Sequence, residues 1–219
     1  MENTAKHLDL LTRLLVPQTT AVLTMELQNG VVGPDALLPA LHEAVTESGM
    51  LTIAGRVCAA ARDVGIRIVH ATAQDRTDRA GAAENCKIFA LASKRRSHFG
   101  AGPVDIGTIG AQLVDELNLQ PSDVVVPRLN GMAPFTGSGL DQILRNLHTS
   151  TIVLMGVSVN LGVFGAAMAA VDLGYQVIIV RDAVAGVPTA YTNDVLNYSL
   201  SMIATIVSSD ELLNVWGSI

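Results

Sequence analysis

TIVLMGVSVNLGVFGAAMAAVDLGYQVIIV, Thr151–Val180, is the stretch that decides the fold. Its first seven residues, 151–157, are β-rich and almost wholly apolar, as in a strand buried on both faces. A turn follows, and over 161–173 small residues dominate, which suits a helix packed closely on a sheet. Gly174 stands where a left-handed C-cap is wanted. Residues 176–181 then read as another apolar strand. No charge falls between Thr151 and Val171, but Ser158, Asn160 and glycines 156, 162 and 165 interrupt the run. Strand, turn and buried helix therefore explain it better than a membrane span.

The same alternation extends outward in both directions. Further strands are read at 20–26, 66–72, 123–128 and 203–208. Helical patterns fill 36–63 (one helix or two), 109–117, 138–147, 189–200 and 210–216. Gly65 is a second helix-ending glycine, and Ser209 reads as an N-cap before Asp210 and Glu211. Repeated β-α units imply an α/β fold: three layers, α/β/α, around a doubly wound, six-stranded parallel sheet. One domain is expected over 1–219. Residues 1–17 form an amphipathic helical extension ending near Pro17. Residues 73–108 are polar and irregular, and read as a lid or a subunit contact.

Composition narrows the function. A formal charge of −6 over 219 residues argues against nucleic acid as a partner. The two cysteines, Cys58 and Cys86, make no disulfide framework, so a reducing cytosol is the plain reading. Neither a metal cluster nor a cofactor motif is read, and the N-terminus lacks the pattern of a cleavable signal. What remains is a site for a small molecule.

Open α/β sheets bind ligands beyond the carboxyl ends of their strands. Glu26 ends the first strand after an apolar run. It reads either as a solvated strand end or as a proton-transfer group whose neutral form burial would favour. Arg128 ends VVVPR, where a structural surface arginine is less expected. Gln74, Arg76 and Arg79 follow the second strand, and Arg95 and Arg96 lie further on; these are solvated loop residues or anion-binding groups. Gly162 lies in the first turn of a helix, where a backbone N–H can hold an anion, or where close packing alone demands glycine. Ser158 has no base placed by the sequence to activate it. His70 reads as a satisfied core histidine.

These motifs, in order and spacing, resemble the isochorismatase-like superfamily from about residue 18 onward. AVLTMELQNG is similar to the family's opening strand, which usually ends Asp-x-Gln-Asn. DVVVPRLNGMAPFTGSGL resembles the segment that carries its lysine and then Ser-Ala-Phe. GVSVNLGV is similar to the Gly-Val turn that ends in its cysteine. The departures are Glu26 for Asp, Leu129 or Arg128 near the lysine's place, and Gly162 for the cysteine. The resemblance implies Glu26, Arg128 and Gly162 as the catalytic set, with Gln28, Gln74, Arg79, Phe135, Ser158 and Asn160 around the substrate. The vinyl-ether-cleaving isochorismatases also carry glycine at this turn and Thr-Ala-Gln after the second strand, as in Thr72–Gln74. The resemblance thus implies acid–base hydrolysis of a small carboxylated molecule through Glu26, without a covalent intermediate, in a homo-dimer or homo-tetramer. The alternatives are a relative that only binds a ligand or serves in assembly, and water- or metal-assisted amide hydrolysis.

Overall fold

The structure is a computed structural model; it describes residues 2–129 and 131–218, except for the side chains of 2–5 and Phe99. In chain order the elements are α1 (Glu2–Leu14), β1 (Thr20–Met25), α2 (Asn29–Val32), α3 (Pro39–Ser48), α4 (Met50–Asp63), β2 (Arg67–Ala73), α5 (Lys87–Phe99), β3 (Val124–Arg128), α6 (Leu140–Asn146), β4 (Thr151–Val157), α7 (Phe164–Asp172), β5 (Gln176–Ala185), α8 (Thr189–Asp194), β6 (Thr205–Val207) and α9 (Ser209–Trp216). The strands form one sheet in the order β3-β2-β1-β4-β5-β6, all parallel. The order reverses between β1 and β4, so the crevice of a doubly wound sheet opens at their carboxyl ends.

Side-chain alternation sorts the strands into two cores. Val22, Ile68, Val153 and Ile178 face one side, where they meet Leu41, Val57 and Trp216. Ala21, Leu23, Val69, Ile152 and Leu154 face the other, against Leu140, Ala166 and Ala170. Leu11 and Leu15 are fully buried in the first core, which ties the N-terminal extension to the domain. Burial of each such leucine stabilises by about 1.5–3 kcal/mol. Among the described residues, no helix is long and apolar enough to cross a membrane.

Several element boundaries differ from the sequence reading. Residues 109–117 are not one helix but two single turns, Ile109–Ala111 and Asp115–Leu117. Their backbone is drawn off elsewhere: Gln112 accepts from Asn29 N–H at 3.0 Å, and Val114 N–H donates to Leu27 at 3.1 Å. The segment 36–63 is two helices, parted at Gly49 with φ +64°. Residues 73–108 contain α5 and so are not irregular throughout. The last cap is Ser208 rather than Ser209: Ser208 accepts from Glu211 N–H at 3.2 Å, and the Glu211 carboxylate accepts from Ser208 N–H at 2.8 Å. Ser209 instead donates to Asp182 at 2.5 Å.

Beneath the sheet lies a buried polar cluster. Thr24 and His70 are register partners on β1 and β2, and their side chains meet at 2.7 Å. His70 Nε2 stands 3.5 Å from Asp123, which Arg62 grips through Nε at 3.1 Å and Nη2 at 2.7 Å. Burial opposes ionisation of Asp123, yet Arg62 and the Gln120 amide outweigh it and hold the carboxyl below the ordinary range. Burial pushes the neighbouring Cys58 thiol up to about 12. Burial also depresses the His70 pKa below its ordinary 6.5, against the pull of Asp123. A depressed histidine is neutral when folded and takes up a proton when unfolded. Its stabilising effect is therefore whole above 6.5 and is lost as pH falls from there toward the folded-state value. The thermal midpoint should decline between about pH 7 and pH 5, and less steeply in His70→Gln. Identical slopes in scanning calorimetry would remove His70 from this role.

Candidate active site

Glu26 leaves β1 in the left-handed region, with φ +54°. That backbone is uncommon for a side chain other than glycine, and it gathers at functional sites. The turn is fixed by Glu26 N–H donating to Ala71 and by Gln28 N–H donating to Glu26, both at 2.9 Å. The Glu26 carboxylate comes to rest against Arg128 Nη2, across the end of β2. Arg128 is placed by its register with Ala73 on β2, and its Nε donates to Gly131 at 3.0 Å. The arginine side chain is 5% exposed and the glutamate 18%. Arg128 Nη1 is buried with no hydrogen-bond partner among the described residues. A buried guanidinium N–H without an acceptor is costly, and a ligand carboxylate would relieve it.

Both residues line a cavity at the carboxyl ends of β1–β4, together with Gln74, Arg79, Ser158, Asn160 and Gly162. Ser158 donates to Asn160 Oδ1 at 2.5 Å. An amide is no base, so this contact orients the hydroxyl without activating it as a nucleophile. Arg79 reaches Asp75 at 3.1 Å and Glu84 at 3.8 Å, so its charge is already shared when it meets the cavity.

Gly162 sits in a wide helical turn, Val159–Val163, ahead of α7. It is not among the glycines with positive φ, so its backbone does not require glycine. Contact does: a Cβ built there would lie 2.9 Å from the Val157 carbonyl oxygen and 2.9 Å from Met25 Cε. Neither cysteine lines the cavity: Cys58 is in the core, and Cys86 precedes α5 outside it.

Two of the residues expected around the substrate lie elsewhere. Gln28 is completely buried, and its amide is consumed by backbone: Nε2 donates to Ala73 at 2.9 Å and Ala111 at 2.8 Å, while Oε1 accepts from Ala73 N–H at 2.7 Å. It clamps the β2 end to the 109–111 turn. Phe135 packs on the second core, 6.3 Å from the Tyr175 ring, instead of facing the cavity. The loop arginines outside the cavity are engaged by protein groups: Arg95 donates to the Asp35 and Ala36 carbonyls at 2.7 Å each, Arg96 pairs with Asp105, and Arg76 with Asp78.

Sequence reasoning missed Asp75 and the apolar wall formed by Leu37, Leu41, Ile88 and Phe89. A signal existed in α5: residues 88, 89, 92, 95 and 96 share one helical face, which the polarity of the surrounding segment hid. Among the described residues, no group of three or more His, Cys, Asp or Glu is placed to hold a metal ion.

Residues 20–211 match the isochorismatase domain family. The chain is 36% identical over 80 residues to the isochorismatase family protein YecD of Escherichia coli O157:H7, a stretch covering 36% of this chain and 43% of that protein. It is 28% identical over 176 residues to ureidoacrylate amidohydrolase RutB of Pseudomonas savastanoi pv. phaseolicola, covering 76% of this chain and 71% of that protein. An isochorismatase family protein of Desulfovibrio vulgaris superposes with a TM-score of 0.77 at 25% identity, covering 91% of this chain and 98% of the other.

Proposed function

The chain belongs to the isochorismatase family, a family of hydrolases, and from that premise we propose that it hydrolyses a small carboxylated molecule with Glu26 as the proton-transfer group and water as the nucleophile. The observation that carries this reading is the composition of the cavity: a carboxylate paired with Arg128 faces it, and no thiol does.

The substrate carboxylate takes Arg128 Nη1, which has no hydrogen-bond partner among the described residues, and competes with Glu26 for the guanidinium. Glu26 then protonates the methylene carbon of an enol ether. Water adds to the resulting oxocarbenium carbon and returns a proton to Glu26. The hemiketal collapses to an alcohol and a 2-oxo acid. A glycine at 162 suits this route, which forms no bond to the protein.

The similarity to ureidoacrylate amidohydrolase favours a second reading, in which Glu26 as carboxylate draws a proton from water that attacks an amide. Product analysis separates the two. A panel of enol ethers and small amides, read for 2-oxo acid and for ammonia, should give 2-oxo acid without ammonia; ammonia alone would establish the amide route. Cys86→Ser and alkylation with iodoacetamide should leave turnover within about twofold, because an exposed or half-buried thiol outside the cavity touches no step. Abolition by either change would overturn the thiol-free mechanism.

A further inference from the structure

The cavity that holds Glu26 and Arg128 is lopsided. Its polar groups cluster at the strand ends, whereas the facing wall is built from Leu37, Leu38 and Leu41 and from Ile88, Phe89 and Ala92 of α5. Leu38 and Leu41 also belong to the first core, but Leu37, Ile88 and Phe89 pack into neither. All three face the cavity with part of their apolar surface unburied. Arg95 bolts α5 onto the 35–36 backbone and so fixes this wall opposite the leucines. Apolar surface left partly open in a concave site is the usual lining of a small-molecule pocket.

We infer that the substrate is amphipathic: an anionic head meets Arg128, and an apolar chain or ring lies between Leu37 and the Ile88–Phe89 face of α5. This rests on the reading above, which makes the Glu26–Arg128 end the reacting end. It adds that selectivity is set by α5, through hydrophobic burial rather than through further hydrogen bonds.

Calorimetric titration of the whole chain with straight-chain carboxylates from acetate to octanoate, and with the primary amides of the same lengths, tests it. The dissociation constant should fall about fourfold per added methylene until the cavity is full, and each acid should bind more tightly than its amide. Phe89→Ser and Leu37→Ser should both flatten the series while acetate binding and the thermal midpoint stay unchanged, since both side chains lie outside the cores. Equal affinity for acetate and octanoate, equal affinity for acids and amides, or an unaltered slope in both variants would overturn the inference. A steep series in a protein that cleaves neither enol ethers nor amides would sink the hydrolytic reading alone. A flat series in an active enzyme would sink this inference alone.

Discussion

Glu26→Gln lowers turnover by about two to four orders of magnitude, the usual worth of a positioned proton-transfer group, while binding of simple carboxylates becomes tighter. Glutamine fills the same space and keeps an oxygen for Arg128 Nη2, so the fold survives; the lost charge on that hydrogen bond costs about 1–3 kcal/mol. It cannot exchange a proton. It also leaves the Arg128 guanidinium, 5% exposed, without a counter-ion. A carboxylate entering the cavity no longer competes with Glu26 and so gains the whole of the arginine. Opposite movements of kcat and of the acetate dissociation constant are hard to obtain from a merely structural residue, whose loss weakens both. Arg128→Met is the complement: it should abolish the preference for acids over amides. Turnover in Glu26→Gln equal to that of the native protein would end the assignment, and weaker carboxylate binding would show that Glu26 does not compete for Arg128.

The six-stranded parallel sheet between helical layers was legible because parallel strands buried on both faces advertise themselves as apolar runs, and Glu26, Gln74, Arg128 and Gly162 stood out because they follow such runs; the order of the strands was not. What the runs do not encode is how a polar side chain is spent. The family resemblance implies Gln28 as a substrate ligand, yet three backbone groups from the 73 and 111 positions use up its amide. Arg95 and Arg96 read as solvated loop residues or as anion binders, yet carbonyls and Asp105 engage them in fastening α5. The Gln28 and Arg95 pairings join residues far apart in sequence, so only the folded arrangement reveals them. The same holds for Leu37 and Phe89, whose shared cavity depends on a helix laid across a distant loop.

Gly162→Cys, which restores the residue type the family resemblance leads one to expect, should destabilise the protein by about 1–3 kcal/mol, the cost of overpacking a closed site, and should confer no thiol chemistry. Glycine in a helical turn is usually the weaker choice by about 1 kcal/mol, so an ordinary site would gain from the change. Here the new Cβ arrives 2.9 Å from the Val157 oxygen, a backbone atom held in β4, and 2.9 Å from the end of Met25. The methionine tip can move; the carbonyl cannot without disturbing the strand that supports the whole turn. Met25→Ala with Gly162→Cys therefore relieves one of the two collisions. The double variant should behave better than the sum of its parts, because the two residues occupy the same space. Denaturant midpoints of the two single variants and the pair give the coupling directly. A fully stable Gly162→Cys protein that hydrolyses amides through a covalent thioester would show that the cavity still accommodates a nucleophilic thiol, and that the closure around Met25 is no barrier to the chemistry of its relatives.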